Sequence, residues 1–305
     1  MWFGVKKNDM KKIFLLAIPV VTIILIGPRL YGCSNPVQGD FHYTSEVYKE
    51  VDNQKLLIHI FEPEEKAKPA KSAIVFFHGG GWAFGDPSEF FSTCERYAKM
   101  GIVTFSVQYR LCIKDGVTPH PSITPVECVK DVRSAMRWVR SQSTRFNIDP
   151  EKIVVAGQSV GGQLALSTLM IPDVNEATDD LSISTLPNAV MSFSGTVNIV
   201  EAWGDYLLGD RREEIWSISP AHNIDKNMKL PPIIHFHGQD DNVVALWTVK
   251  FFKRDLGAEG EAFDLREYEG RKHYLGAGNE EYSNYYDEDI LKEADEFLRK
   301  NKFLN

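Results

Sequence analysis

The stretch Lys152-Ile153-Val154-Val155-Ala156-Gly157-Gln158-Ser159-Val160-Gly161-Gly162 decides how the rest of the chain is read. Lys152–Ala156 reads as an apolar strand. Val160–Met170, rich in Ala and Leu, reads as a helix. Between them, Gly157-Gln158-Ser159-Val160-Gly161 fits G-x-S-x-G. Strand, sharp turn and helix are the setting of a nucleophile elbow, in which small residues flank the serine so that the backbone can pass closely. Gly162 extends the small cluster. Ser159 is therefore the candidate nucleophile, with Gly157 and Gly161 as its motif support.

Upstream, Ala73–Phe77 is a short apolar run, as expected for a strand buried on both faces. It runs into His78-Gly79-Gly80-Gly81-Trp82. Glycines let backbone N–H groups approach a substrate without a Cβ in the way. An acyl transfer needs such donors aimed at the developing oxyanion. The HGGG pattern supplies them together with the N–H of the residue after the nucleophile, here Val160. A phosphate loop would want a following Lys and Ser/Thr, and neither is present. Gly80, Gly81 and Val160 are the candidate oxyanion donors, with His78 and Gly79 as motif support. Trp82 is expected to crowd the site beside them.

Downstream, an acid and then a base should close the set. His273 follows the last strand-like segment, in Glu269-Gly270-Arg271-Lys272-His273. His42 and His59 precede the elbow, His120 and His222 fall in polar loops, and His235 lies within a strand. The acid should end the preceding strand, where His237-Gly238-Gln239-Asp240-Asp241 stands. Two adjacent carboxylates cannot both face one imidazole, and the spacing HGxxDxxV from His237 to Val244 selects Asp241 over Asp240. His237 is expected to pack at the strand end. No metal or cofactor is required by this chemistry.

The remaining pattern alternates strands and helices. Glu46–Val51 and Leu56–Phe61 form a hairpin around Asp52-Asn53. Ile102–Gln108, Ala189–Phe193, Ile233–Phe236 and Phe263–Tyr268 read as further strands. Val126–Arg140, Leu246–Leu256 and Ile290–Phe297 read as helices, and Asp149-Pro150 reads as a turn. The expected fold class is α/β: a mostly parallel sheet with helices on both faces and an antiparallel hairpin at its edge.

In this order the three motifs resemble the α/β-hydrolase superfamily, in particular the hormone-sensitive-lipase-like bacterial carboxylesterases, over nearly all of residues 46–301. Tyr109-Arg110-Leu111, Asp149-Pro150 and Ser219-Pro220 agree with it. Pro125-Val126-Glu127-Cys128 and Glu269–His273 are similar to esterases that remove acyl groups, often acetyl, from carbohydrates. The resemblance implies a serine carboxylesterase for short acyl esters, from acetyl to butyryl, acting on a small-molecule or carbohydrate substrate. Within the same fold the alternatives are a serine peptidase and a non-catalytic binding module. Val160 departs from the Ala or Gly that such esterases often carry after the nucleophile. A long N-terminal cap is also missing, since only residues 34–45 are available for it. The insert Val197–Ile224, with Trp203, Tyr206 and Trp216, is the candidate lid or acyl-pocket wall; alternatively it is a helical excursion anchored by those aromatics.

Of 305 residues, 43% are hydrophobic and 25% charged, as in a folded globular enzyme. Residues 34–305 read as a single catalytic domain. Before them, Lys6, Lys7, Lys11 and Lys12 precede an apolar run, Ile13–Ile26, interrupted by Pro19. That is the layout of an export leader, and Met10 also serves as a start for it. Leu30-Tyr31-Gly32-Cys33 resembles a lipoprotein cleavage box, which implies lipidation at Cys33; an uncleaved anchor helix and plain secretion are the rivals. The expected location is periplasmic or extracellular, with membrane contact only through the N-terminal anchor or lipid. Formal net charge is −8; without residues 1–32, which carry five cations and one carboxylate, it is −12. So acidic a surface disfavours nucleic acids and anionic polysaccharides. Besides Cys33, Cys94, Cys112 and Cys128 show no CxxC or metal spacing and are expected as free thiols, although a Cys112–Cys128 disulfide suits an exported chain.

Overall fold

A computed structural model describes residues 42–64, 71–199, 202–225, 227–276 and 287–305. The leader 1–33, with its lipidation box, lies outside the described residues. All described residues belong to one compact unit, Cys33–Asn305.

The chain opens on the hairpin β1 (Thr44–Val51) and β2 (Gln54–Phe61). Asp52 and Asn53 both take positive φ, 51° and 60°, as a two-residue turn between twisted strands requires. Then follow β3 (Lys71–Phe77), α1 (Phe91–Lys99) and β4 (Val103–Val107). A small side hairpin, β5 (Ile113–Lys114) and β6 (Thr118–Pro119), leads into α2 (Pro125–Ser141). Next come β7 (Ile148–Gln158), α3 (Val160–Met170) and β8 (Ala189–Phe193). The insert holds α4 (Ala202–Leu208) and 3-10 turns over Gly209–Ile218 and Pro220–His222. The chain ends with β9 (Ile233–Gly238), α5 (Leu246–Asp255), β10 (Phe263–Tyr268) and α6 (Glu288–Lys300).

Eight strands form one sheet in the order β1-β2-β4-β3-β7-β8-β9-β10. Only β1–β2 and β2–β4 pair antiparallel; every other neighbour is parallel. Side chains alternate between the two faces, as the period of a strand demands. Val75 and Phe77 join the layer of α2, α3 and α5, while Ile74 and Phe76 join that of α1 and α6. The expected sheet, with its edge hairpin and two helical layers, is the one observed.

Three local features differ from the sequence reading. Helix α1 is absent from it, although Phe91, Cys94, Tyr97 and Ala98 mark a buried stripe at helical spacing. Asp149-Pro150 does not end the chain's pairing: β7 runs through it, with an irregularity where Lys71 pairs Ile148 and Ala73 pairs Ile153. The turn signal is thus absorbed as a bulge. Finally, Thr124 and Glu127 cap α2 reciprocally, so Glu127, quoted above only for its resemblance, has a structural task. Cys112 and Cys128 are free thiols with their Sγ atoms 3.5 Å apart.

The strand order reverses at β3, because the chain goes from β3 to β4 on one side and from β4 to β7 on the other. In parallel sheets such a reversal opens a crevice at the carboxyl ends of the strands. Phe77 pairs with Gly157, so the loops after β3 and β7 leave the sheet side by side.

Candidate active site

Ser159 stands between β7 and α3 with φ 55° and ψ −121°. That region is costly for a residue with a Cβ, by roughly 1–3 kcal/mol. The surroundings impose it: Ser159 N–H donates to Phe193 O at 2.9 Å, and its carbonyl accepts from Gly162 and Thr196. Close passage explains two of the glycines. A Cβ on Gly157 would lie 2.1 Å from Gly161 O, and one on Gly161 would lie 2.0 Å from Phe77 O.

His273 Nε2 lies 2.9 Å from Ser159 Oγ, and His273 Nδ1 lies 2.8 Å from Asp241 Oδ2. All three side chains are buried. Asp241 Oδ1 accepts from the N–H groups of Val243 and Val244, each at 2.8 Å. Burial by itself would raise the Asp241 pKa. The hydrogen bond and charge of His273, with the two backbone donors, outweigh it and hold the carboxyl below its ordinary value. The spacing argument selected the residue that faces the imidazole, whereas Asp240 is exposed.

The loops carrying Asp241 and His273 are zipped together. Asp240 N–H donates to Arg271 O at 3.0 Å, and a Cβ on Gly238 would strike Arg271 O at 2.2 Å. Arg271 ties the His273 loop to the start of α6 through Asp287 (2.5 Å) and Asp289 (2.7 Å). His237 packs at the strand end as expected, with Nε2 2.9 Å from Val244 O and 3.4 Å from Asp241 Oδ2. Burial lowers its pKa and keeps it neutral. Among the described residues His42, His59, His120, His222 and His235 form no hydrogen bond to Ser159 or Asp241.

The carbonyls of the glycine loop are held by hydrogen bonds. Gly79 O is bonded by His78 Nδ1 (2.8 Å) and lies 3.2 Å from the Tyr109 hydroxyl. Gly80 O accepts from Ala83 (3.1 Å) and Phe84 (2.9 Å). In a trans peptide the N–H lies opposite the preceding carbonyl, so these bonds fix where the N–H groups of Gly80 and Gly81 aim. Among the described residues neither N–H has a partner. Val160, first residue of α3, has no intrahelical acceptor for its own N–H. Tyr109 stacks on His78 with centroids 4.2 Å apart, and Glu89 accepts from Gly79 N–H at 3.2 Å. Sequence reading had Tyr109 only within a resembling triplet, and Glu89 not at all; no local pattern marks either.

Trp82 does not crowd the site. It is buried in the core at φ 60°, and its indole points to Gln163. From the insert, Trp203 approaches instead and donates to Gly81 O at 2.9 Å. Tyr206 stacks on Trp203 and donates to Val117 O at 3.1 Å, whereas Trp216 is exposed and meets His222 edge-on. Arg211 bonds Glu127, fastening the insert to α2. Among the described residues no group of three or more His, Cys, Asp or Glu side chains is placed to hold a metal ion.

The BD-FAE family model matches residues 58–256, a stretch that holds the glycine loop, Ser159 and Asp241. The chain belongs to the BD-FAE family. Esterases are among the chain's neighbours in structure and in sequence. Apo esterase 2 of Thermogutta terrifontis is 36% identical, with a TM-score of 0.74 over 86% of this chain and 96% of that one. Esterase LipC of Mycobacterium tuberculosis is 26% identical over 68% of this chain and 53% of its own length. Arylacetamide deacetylase of Bos taurus is 26% identical over 58% of this chain and 48% of its own. This BD-FAE chain spans about half or less of the curated relatives it matches. The α/β-hydrolase resemblance drawn from the motifs therefore holds.

Proposed function

We propose that this BD-FAE hydrolase cleaves short-chain carboxylic esters, with Ser159 as nucleophile, His273 as general base and Asp241 as its orienting acid. The observation that carries the proposal is the continuous line Asp241–His273–Ser159, with contacts of 2.8 and 2.9 Å. His273 Nδ1–H donates to Asp241, which leaves Nε2 as the acceptor for the Ser159 proton. As Oγ attacks the ester carbonyl, the proton moves to Nε2, and the carbonyl oxygen becomes an oxyanion between Gly80, Gly81 and Val160 N–H. The imidazolium returns the proton to the departing alcohol. Water, deprotonated by His273, then releases the acid and Ser159.

Two things favour short acyl groups. A longer acyl chain gains about 0.8 kcal/mol per methylene only where an apolar pocket takes it out of water, and the insert approaches the glycine loop with the bulky Trp203, which narrows the room for one. The Thermogutta esterase 2, moreover, has propionate-bound and butyrate-bound structures. Acetylated carbohydrates are the first natural esters to test, because Pro125–Cys128 and Glu269–His273 resemble carbohydrate esterases. Export, with lipidation at Cys33, is part of the same proposal and is supported by the leader sequence alone.

The test is kcat/KM for p-nitrophenyl esters from acetate to decanoate, beside labelling by paraoxon, which phosphorylates the Thermogutta enzyme. The expected profile peaks between acetate and butyrate, with label on Ser159 and activity lost in Ser159→Ala by on the order of a million-fold. An optimum at octanoate, or a Ser159→Ala variant keeping more than about one percent of activity, would refute it.

A further inference from the structure

We infer that Gln163 is a positioning residue for oxyanion stabilisation, acting through Trp82; the inference rests on the proposed ester hydrolysis at Ser159. The donors assigned above come from two separate pieces of chain. Val160 N–H belongs to α3, while Gly80 and Gly81 N–H belong to the loop after β3. Catalysis needs both pieces at one fixed spacing, since preorganised donors act only where the negative charge develops.

Gln163 lies one turn into α3 and is fully buried. Every polar atom of its amide is used. Oε1 accepts from Trp82 Nε1 at 3.1 Å, and Nε2 donates to Ser167 Oγ and to Ile218 O, both at 2.8 Å. Ser167 Oγ in turn donates to Gln163 O at 2.9 Å, so the orientation of the amide is fixed from both ends. One side chain thus joins the helix of the nucleophile, the residue that follows the donor glycines, and the end of the insert.

The Trp82 end of this bracket is strained. A bulky residue at φ 60° holds that conformation only where its surroundings enforce it. Its carbonyl is held by Cys112 N–H at 2.8 Å and its indole by Gln163. Trp82 adjoins Gly81 directly, and three consecutive residues from Gly80 to Trp82 have positive φ. Releasing the indole lets this stretch relax and moves Gly81 N–H away from the point where Val160 N–H is aimed. The amide also satisfies buried partners, so Gln163→Leu leaves Trp82 Nε1 and Ile218 O without it and should lower stability as well; the positioning role is read from kcat in folded protein, apart from melting.

The experiment compares wild type with Trp82→Phe, Gln163→Leu and the double variant. It measures kcat and KM for p-nitrophenyl acetate, the rate of paraoxon labelling, and thermal melting. Losing one oxyanion donor outright costs about 100- to 1000-fold; a displaced donor keeps part of its effect. Each single variant should therefore lower kcat about 10- to 100-fold with KM within about threefold. Paraoxon labelling should slow in parallel, because the phosphoryl oxygen takes the oxyanion position. The double variant should be no slower than the worse single one, as expected when two groups act as a unit. Full kcat in the folded variants, a loss confined to KM, or additive losses would overturn the inference. If Gln163→Leu does not fold, Trp82→Phe, which keeps the buried ring, decides alone. Wild type that neither hydrolyses the ester nor takes label at Ser159 would refute the proposed function instead, and so be told apart from failure of this inference.

Discussion

Asp241→Asn offers the sharpest trial of the site, because an isosteric change alters a single hydrogen-bonding atom. The asparagine carbonyl can replace Oδ1 and keep both backbone bonds, to Val243 and Val244 at 2.8 Å. Its amide nitrogen then replaces Oδ2, 2.8 Å from His273 Nδ1. Two donors would face each other there. His273 escapes by moving its proton to Nε2, which puts an N–H rather than a lone pair against Ser159 Oγ. The base is then in the wrong tautomer, at a cost of about 10⁴-fold in kcat. That equals about 5 kcal/mol of transition-state stabilisation at 1.36 kcal/mol per decade. Folding should scarcely change, since the side-chain volume and two of the bonds survive. Asp240→Asn is the matched control: its side chain is exposed, and activity should stay within about twofold of wild type, as for most surface changes. The assay is kcat/KM for p-nitrophenyl acetate with melting curves in parallel. Asp241→Asn within tenfold of wild type, or Asp240→Asn as the more damaged of the two, would refute the reasoning.

Three further expectations follow from other parts of the molecule. Asp131 is fully buried and receives Lys49 Nζ at 2.7 Å and Arg110 NH2 at 2.8 Å; Asp131→Asn weakens both bonds while Lys49 keeps Glu176 at 2.9 Å and Arg110 keeps Asp52 at 2.8 Å, so it should cost about 2–3 kcal/mol, read as a drop of about 4–12 °C in melting temperature, and a drop below 2 °C would contradict it. Glu127 is opposed by burial but held down to a pKa of about 2, from an ordinary 4.5, by Arg211 and Thr124. Its stabilising contribution is therefore complete above about pH 4.5 and is lost as pH falls toward 2; Glu127→Gln should flatten the melting-temperature profile across that window, and an unchanged slope would count against the Arg211 clamp. Mass spectrometry of protein from its native host should find Cys33 as the lipidated N-terminus, and an unmodified or differently placed terminus removes the lipid part of the proposal while leaving export open.

How much of this was legible beforehand depends on distance along the chain. The elbow, the glycine loop and the Asp241 spacing are short patterns whose meaning is local, and the alternation of strand and helix placed all of them at strand ends. Helix α1 escaped because its buried stripe is short and follows the glycine-rich loop. Asp149-Pro150 looked like a terminus because a local signal does not show that β3 continues to pair beyond it. Trp82 was misplaced for a related reason. Its neighbours in sequence are the candidate donor glycines, but its partner in space is Gln163, 81 residues on. Tyr109, Glu89, Arg271 and Gln163 all act on backbone or side chains brought near by folding, and nothing in their immediate sequence announces it.

The separation of the reacting groups also sets a timetable. Ser159 and His273 are 114 residues apart, and the imidazole comes from a loop beyond the last strand of the sheet. Non-local pairings of this kind form late, after the entropy of closing large loops has been met. A nascent or unfolded chain can carry a complete elbow and a complete glycine loop and still be chemically idle. On the proposed mechanism the catalytic set is complete only once the chain beyond β10 has brought His273 to the serine. If the proposed export carries the chain across a membrane unfolded, it would travel inert, and the proposed hydrolysis would start only after arrival.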